Sequence, residues 1–547
     1  MFEDFAILSI QSETLPSMPA IRREHVFLGI AFLVLTISTV AWSLTNRTPP
    51  SWDPADHMRT AYDFYRPLSL GRFEEFFGEL FHASHPYGPL YHWATAGIFL
   101  VAGVSRLTGI AANFAALAIL LISVNWIGDM LHLSLAETRA SAVALRPGAL
   151  AAMLAVCYHF PAWLLHEAFL DYLLMAMVAL SFALLMRAGE FHVRSDAILL
   201  GVVAGLGMLA KQTFPFFFIL PGIVLWWRAC TRRDGQALAN LALSGVIASL
   251  IASIWYVPHL NDVVGIYRVN ALNATVENEA PAFSFRFLAY YWAVLGGLQI
   301  QLVFSILFVF GLVYSIRHRL RQDWMLYLWI LSGIFSFTLL ANKDPRYTVP
   351  ILPAVALISV SWFGKVRVNR RRPVAALIAA WAFVSFFNAQ WPSSKMDFRL
   401  SAMGIPLYFL SGNVYRFDHR PLPEDWSIPE IVHTASGRLG VAPNIWQLNP
   451  SNIELHARIY APNVSVVWLS EEFSDERLDQ CDYVLARTHL ENAERVEPTE
   501  RKVAMYLSVH PDRFVPVATY ALPHAQEAVL YKRESLARRE RVTRSGG

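Results

Sequence analysis

The chain has 547 residues, of which 55% are hydrophobic and only 16% are charged, whereas soluble domains carry about 25% charged residues. This composition excludes an ordinary soluble enzyme and indicates a helical membrane protein that crosses the bilayer several times. The net charge of +3 is too small to suggest a nucleic-acid partner. The three cysteines lie in sequence surroundings that are too different to suggest a disulfide framework.

Eleven apolar runs predict transmembrane helices. They cover residues 26–44, 108–128, 148–165, 168–187, 197–212, 214–229, 237–258, 295–316, 324–341, 346–363 and 373–391. A further apolar run at 87–104 is short and has proline and glycine at its start. We predict that this run forms a re-entrant or interfacial helix; the alternative is that it crosses the membrane as a twelfth span.

Basic loops predict the orientation of these spans, because Lys and Arg accumulate in cytoplasmic loops. The strongest are RHRLRQD at 317–323 and KVRVNRRRP at 365–373, which are separated by two spans and therefore lie on one side. Placing both in the cytoplasm puts the N-terminus inside and the polar C-terminal region outside, provided that 87–104 does not cross.

The chain becomes polar and alternating after about residue 392. The segments SVVWLS, DYVLART and EAVLYKR predict strands, and SIPEIVHTAS and IELHARIYA predict helices. We therefore predict a transmembrane domain over 1–391, with a first outer loop at 45–107, and an extracytoplasmic α/β domain over 392–547.

An acidic motif follows the first span on the predicted outer side. In WDPADHMR, Asp53 and Asp56 stand beside His57 and Arg59. A carboxylate at a membrane surface can act as a general base, and an arginine can bind a phosphate through two hydrogen bonds. The alternative is structural: Pro54 starts a helix with Asp53 as its N-cap, and the other three residues form a solvated helix face.

Other charged residues lie near the predicted outer ends of later spans. Asp171 either favours the start of its helix or forms the wall of a polar site. Lys211 either snorkels to the headgroups or binds a lipid-linked phosphate. Lys343 and Arg346 oppose the positive-inside trend, which a bound phosphate would explain, and Tyr347 beside them is a belt aromatic or a site residue.

Several classes of function lack support in the sequence. No Walker loop, dinucleotide fingerprint, HExxH or GxSxG motif occurs in a supporting context, so an enzyme here would not draw its activated group from a cytosolic nucleotide. A transporter or lipid flippase would predict inverted repeats and charges near the midplane, and neither is evident. A non-catalytic assembly partner is the third alternative, and the retained acids argue against it.

The motifs, taken in order, resemble those of the GT-C superfamily of membrane glycosyltransferases. After the acidic motif come YGPLY at 87–91, an acid that opens a later span, GLGMLAK at 205–211 and DPRYTVPILPAVAL at 344–357. The most similar branch is the bacterial protein O-mannosyltransferase-like group with the lipid A aminoarabinose transferases (glycosyltransferase family 39/83 type). The resemblance covers residues 26–391, and FVPVATYALPHAQEAVLYKR resembles the closing strands of the soluble domain in that group.

The resemblance implies that an acid of the first outer loop is catalytic. Matching WDxxxH selects Asp53, whereas the distance to Gly71 and an arginine three residues on select Asp56. Both assignments stay open, because proline follows Asp53 and histidine follows Asp56 where the family often has an Asp-Glu pair. We favour Asp53.

The resemblance also implies a set of donor-phosphate ligands. Lys211 and Arg346 match motif positions that bind the phosphate, with Arg59 and Lys343 as further candidates. Tyr87 and its neighbouring glycine stand where other members often have Lys and Pro. That departure removes one expected ligand, for which His85 is the candidate substitute.

The implied function is the transfer of a hexosyl or pentosyl group from a polyprenyl-phosphate donor. The acceptor is an envelope lipid, glycan or protein at the outer face of a bacterial inner membrane. In-line attack on the anomeric carbon would invert its configuration. We predict no cofactor, and a divalent metal is not required, because basic residues already bear the charge of the leaving phosphate.

Overall fold

In the computed structural model, helices make up the chain as far as residue 390 and an α/β region follows. The structure describes residues 23–83, 86–133, 146–276, 280–393, 398–402, 405–412, 420–470, 473–488, 490 and 496–537. The helices of these residues are α1 (Arg23–Thr45), α2 (Trp52–Ser69), α3 (Phe73–His82), α4 (Leu90–Ala102), α5 (Arg106–Ile110), α6 (Ala112–Leu133), α7 (Pro147–Cys157), α8 (His159–Leu164), α9 (Leu170–Ala188), α10 (Arg194–Ala210), α11 (Ile219–Thr231), α12 (Gly235–Tyr256), α13 (Leu260–Val276), α14 (Phe285–Val294), α15 (Gln301–His318), α16 (Leu320–Thr338), α17 (Leu352–Ser359), α18 (Val368–Gln390), α19 (Ile428–Thr434), α20 (Pro450–Tyr460), α21 (Asp475–Asp479) and α22 (Pro498–Val509). The strands are β1 (Phe398–Ala402), β2 (Ile405–Leu410), β3 (Gly437–Val441), β4 (Val464–Trp468), β5 (Tyr483–Arg487), β6 (Phe514–Leu522) and β7 (Gln526–Arg533).

Each predicted span falls on a helix or on a consecutive pair of helices. In the described part of the chain, six helical stretches are long and apolar enough to cross a membrane: Glu24–Thr45, Arg106–Leu131, Leu170–Ala188, Gly235–Tyr256, Gln301–His318 and Asn369–Gln390. Four shorter apolar stretches accompany them: Leu90–Ala102, Pro147–Cys157, Ile219–Thr231 and Val349–Lys365. The protein is therefore a multi-pass membrane protein, while the number of eleven spans and the re-entrant course of 87–104 stay predictions.

Proline explains why the predicted span 148–165 is two helices. Helix α7 ends at Cys157, and α8 begins two residues later with Pro161 in its first turn. Proline has no N–H for the carbonyl four residues earlier, and its ring would clash with that carbonyl. In the first turn of a new helix this N–H is not needed, so the chain restarts there instead of continuing.

The described residues form two compact units. Of the described residues, the first unit contains those within 23–42, 71–94 and 110–420, and the second contains those within 43–70, 95–109 and 421–537. Helix α2, which carries the acidic motif, thus belongs to the same unit as the C-terminal region and packs against α20. The predicted boundary at residue 391 concerns which residues lie in the membrane, and it stays a prediction.

In the second unit, helices cover both faces of a mixed five-stranded sheet with the order β4-β3-β5-β7-β6. Strands β3, β4 and β5 are parallel, whereas β7 pairs antiparallel with β5 and with β6. Apolar residues of α19 and α20 pack on one face, and those of α21 and α22 form a separate core. The predicted strands and helices of this α/β region are confirmed.

In the first unit, α7 is buried along almost its whole length and packs closely on α6. A Cβ added at Gly128 of α6 would overlap the Cα of Gly148, and one added at Gly148 would lie 2.7 Å from the carbonyl oxygen of Asn125. The two backbones therefore approach more closely than any side chain allows, as small residues permit between membrane helices.

Substitution of Gly128 should reveal this close approach. We expect Gly128→Ala to destabilise the protein by about 1–3 kcal/mol, because the added methyl group forces α6 and α7 apart. Gly245→Ala is the control, since Gly245 of α12 has no atom within 4 Å of an added Cβ. Thermal melting in detergent measures both variants, and equal melting temperatures would contradict the packing described here.

Candidate functional site

The acidic motif forms the first two turns of α2. Ser51 precedes the helix with an extended backbone, and its side chain makes no capping hydrogen bond. Asp53 lies in the first turn and is exposed, while His57 is buried. Asp53 is therefore not the N-cap, although its charge still favours the positive end of the helix dipole.

Arg59 of α2 lies among three carboxylates. Its Nη2 atom donates to Oδ1 of Asp56 at 2.6 Å, its Nη1 atom lies 3.6 Å from Oδ2 of Asp63, and its Nε atom lies 3.8 Å from Oε2 of Glu454. Burial by itself would lower the pKa of Arg59, but the charges of Asp56, Glu454 and Asp63 outweigh burial and raise that pKa. A phosphate would have to compete with three acids at once for Arg59, and this number of carboxylates favours a structural cation over the predicted phosphate ligand.

Glu454 and Arg458 of α20 extend this arrangement and were not predicted as site residues. Arg458 donates from Nη1 to Oδ1 of Asp63 at 2.6 Å and from Nη2 to Oε1 of Glu454 at 2.9 Å. Asp56, Arg59 and Asp63 lie three and four residues apart, which places them on one helix face and was a signal available in the sequence. No such signal points to Arg458, which lies 395 residues after Asp63.

A second group of contacts within the same unit fixes the start of α2. The indole Nε1 of Trp52 donates to Oδ1 of Asn444 at 2.7 Å, and its ring centre lies 4.3 Å from that of Trp446. Asn452 donates from Nδ2 to the carbonyl oxygen of Pro50. The residue immediately before Asp53 is thus anchored through both a hydrogen bond and an aromatic contact.

In the first unit, a buried ion pair joins the end of α10 to the start of α9. Lys211 directly follows α10, and its Nζ atom donates to Oδ1 of Asp171 at 2.7 Å. The two side chains are only 9% and 2% exposed. Lys211 therefore does not snorkel to the surface, and Asp171, which lies in the first turn of α9 and is not its N-cap, serves as the counter-ion.

Arg346 lies beside the same end of α9. Its guanidinium carbon is 4.5 Å from the ring centre of Phe169, two residues before Asp171. Its Nε and Nη2 atoms donate to Oδ2 of Asp344 at 2.9 and 2.7 Å. A guanidinium is planar and has five N–H donors, a geometry that suits both carboxylate and phosphate oxygens.

The YGPLY segment and Tyr347 lie close to Lys211 in the group formed by Asp171, Lys211 and Arg346. At Gly88 the chain runs so close to α10 that an added Cβ would overlap the backbone of Leu209, two residues before Lys211. Tyr87 lies within electrostatic range of Tyr347, whose ring centre is 5.7 Å from the Nζ atom of Lys211. The first unit thus brings together five predicted site residues: Tyr87, Asp171, Lys211, Arg346 and Tyr347.

Lys343 satisfies the end of a helix. Its Nζ atom donates to the carbonyl oxygens of Phe337, Thr338 and Leu340 at 3.2, 2.7 and 2.7 Å, which belong to the last turn of α16 and the residues after it. These contacts favour a structural role over phosphate binding. His85 lies outside the described residues, and its role stays a prediction.

In each unit, a buried acid lies against a cation. Asp63 pairs with Arg458, and Asp171 pairs with Lys211. Among the residues that the structure describes, no group of three or more His, Cys, Asp or Glu side chains is arranged to hold a metal ion. Each unit therefore contains charged side chains that are paired with one another.

Comparison with solved structures shows the fold. The crystal structure of ArnT from Cupriavidus metallidurans in the apo state aligns with a TM-score of 0.53, covering 92% of this chain and 98% of that one at 13% identity. The structure of the same protein bound to undecaprenyl phosphate aligns with a TM-score of 0.54, covering 92% and 97% at 14% identity. The predicted fold class, a helical membrane protein with a C-terminal α/β region, is confirmed, and the chain shares the fold of ArnT.

Sequence comparison gives a narrower similarity. No known family model matches the chain. GPI mannosyltransferase 4 of Eremothecium gossypii is 26% identical over 177 residues, which are 30% of this chain. The matched part is 32% of that relative, so the chain spans about a third of the length of the curated protein that it matches.

Breaking the Asp171–Lys211 pair on one side should cost more than removing it whole. We expect Asp171→Asn to destabilise the protein by about 3–5 kcal/mol, because it leaves a buried ammonium group without its counter-ion. The double variant Asp171→Asn/Lys211→Met buries no charge at this position and should melt at a higher temperature than Asp171→Asn.

Thermal melting in detergent compares these variants with Arg232→Met, which removes an exposed arginine paired with Glu190. Such a surface change should stay within about 0.5 kcal/mol of the wild type. A double variant that is less stable than Asp171→Asn would show that the pair is not held together by its charges.

Proposed function

We propose that this protein is an integral membrane glycosyltransferase that moves a sugar from a polyprenyl-phosphate donor to an envelope acceptor at the extracytoplasmic face. The observation that carries the proposal is the cluster of buried Lys211 and half-buried Arg346 in a fold that ArnT shares over nearly its whole length, one ArnT structure being bound to undecaprenyl phosphate. The short similarity to a mannosyltransferase supports the same class of reaction.

Lys211 and Arg346 are the proposed ligands of the donor phosphate. Both cations lie near the start of α9, and both are held by carboxylates before any ligand binds. A phosphate can accept charge-assisted hydrogen bonds from an ammonium and a guanidinium together. As the bond to the sugar breaks, the same cations stabilise the charge that develops on the leaving phosphate.

Asp53 is the proposed general base, and Asp56 is the other acid of the motif. Oδ1 of Asp56 accepts hydrogen bonds from Nε and Nη2 of Arg59, so this acid is occupied in a structural pair. Asp53 is exposed one turn earlier on the same helix. The exposure of Asp53 is the observation that supports it as the proposed base.

The proposed chemistry is a single displacement. The carboxylate of Asp53 accepts the proton of an acceptor hydroxyl or amine as that group attacks the anomeric carbon. A bond from the acceptor to the sugar forms, and the bond from the anomeric carbon to the phosphate oxygen breaks. The polyprenyl phosphate leaves with the electron pair, and the anomeric centre is inverted. No cofactor enters this scheme, and we place the reaction at a bacterial inner membrane with the C-terminal α/β region outside.

Substitution of the two aspartates tests the proposed base. We expect Asp53→Asn to lower sugar transfer at least about 100-fold, because general-base catalysis contributes about 10²–10⁴-fold. Asp56→Asn should cause a smaller loss, since that acid acts only through its neighbour. The assay follows a radiolabelled sugar from a polyprenyl-phosphate donor into the lipid, glycan and protein fractions of envelope vesicles. Full transfer by both variants would exclude this mechanism and favour a transport or assembly role.

Binding of undecaprenyl phosphate tests the donor site without requiring an acceptor. We expect Arg346→Met to weaken binding to the detergent-solubilised protein about tenfold or more, because a hydrogen bond to a charged group contributes about 1.5–3 kcal/mol. Arg232→Met removes an exposed, paired arginine of the same unit and should bind as the wild type does. Equal affinity for both variants would remove Arg346 from the site.

A further inference from the structure

The acidic motif is contacted on both sides by one short stretch of the C-terminal region. Before Asp53, Trp52 is bound by the side chain of Asn444 and lies against the ring of Trp446. After Asp56, Arg59 and Asp63 approach Glu454 and Arg458 of α20. The two proposed catalytic-motif acids therefore lie between two anchored positions of the same helix, within a single compact unit.

The second anchor is a charge ladder made of Asp56, Arg59, Asp63, Glu454 and Arg458. It contains three negative and two positive side chains, so its net charge is −1 when all are ionised. The cations alternate with the acids: Arg59 lies between Asp56 and the pair Asp63 and Glu454, and Arg458 contacts both members of that pair.

Arg458 influences which of the three acids the guanidinium of Arg59 lies closest to. Arg59 is closest to Asp56, at 2.6 Å, and lies 3.6 Å from Asp63 and 3.8 Å from Glu454. Because Arg458 pairs with both of the last two acids and offsets part of their charge, Arg59 lies closest to Asp56. Without Arg458, Asp63 and Glu454 would attract Arg59 more strongly, since the interaction of charges at these distances is strong in a partly buried site.

The position of Asp56 in turn affects Asp53. The two acids are three residues apart and lie on neighbouring turns of the same helix face. Arg59 neutralises Asp56, which limits the repulsion between the two carboxylates and leaves Asp53 as the charged group that faces solvent. A displacement of about 1 Å at a reacting group can cost about 10²-fold in rate.

We propose that Glu454 and Arg458 are positioning residues for the acidic motif, so that the C-terminal α/β region takes part in sugar transfer by fixing the geometry of α2. This inference rests on the proposed glycosyltransferase function and deepens it, because it assigns residues of the α/β region to the acceptor-activating step. Neither residue contacts the reacting atoms; both act through Arg59 and Asp63.

The test separates kcat from the KM for the donor. We expect Arg458→Gln to lower kcat about tenfold or more while the KM for the polyprenyl-phosphate sugar changes less than twofold, because the proposed donor ligands belong to the first unit. Arg458→Lys keeps the charge and should recover most of the rate. Asp63→Asn should lower kcat similarly, and the double variant Asp63→Asn/Arg458→Gln should be no slower than the slower single variant.

Arg438→Gln is the matched control, because Arg438 is an exposed arginine of β3 that donates to Gln480 in the same α/β region. If Arg458→Gln and Arg438→Gln have equal kcat while Asp53→Asn is inactive, the positioning role is overturned and the proposed function stands. The positioning role would also be overturned if the kcat losses of the single variants multiplied in the double variant. The same holds if kcat fell in proportion to the melting temperature of each variant.

Two further outcomes are decisive. If Arg458→Gln does not fold, Asp63→Asn and Arg458→Lys carry the same comparison of kcat with KM from either side of the ladder. If the wild-type protein transfers no sugar from any polyprenyl-phosphate donor, the proposed function fails and the positioning role fails with it.

Discussion

An ionised side chain can remain in an apolar interior only when an opposite charge lies against it, and this constraint shapes both units of the protein. Lys211 is buried because the carboxylate of Asp171 lies 2.7 Å away. Arg59 is held in the same way by the acids of α2 and α20. Pairing of this kind makes each cluster rigid before a substrate binds, which is the condition for electrostatic catalysis without reorganisation.

The same constraint explains why part of the site was visible in the sequence. A charged residue inside or beside an apolar run is costly, so Asp171, Lys211 and Arg346 stood out, and the structure brings all three together. Long apolar runs and alternating segments are also local signals, and they predicted the membrane class and the α/β region. Helix breaks were harder to predict from the sequence, because the apolar run that Pro161 divides has the length and composition of a single span.

Other features depend on contacts that no local pattern records. Glu454 and Arg458 look like ordinary surface residues of an amphipathic helix, and only the packing of α20 on α2 gives them partners. Lys343 was assigned to phosphate binding because of its position, yet its contacts depend on how the chain turns after α16. The pairing of Asp56 with Arg59 likewise depends on the orientation of the arginine side chain, which the sequence does not contain.

The long separation between α2 and α20 also has a consequence for how the protein is made. Arg458 leaves the ribosome 395 residues after Asp63, which takes roughly 20–80 s at about 5–20 residues per second. During that interval the motif helix has been synthesised while its charged partners do not yet exist. A chain that stopped short of α20 would insert its membrane helices with this helix unsupported, so a segment that is translated late completes an arrangement begun with α2.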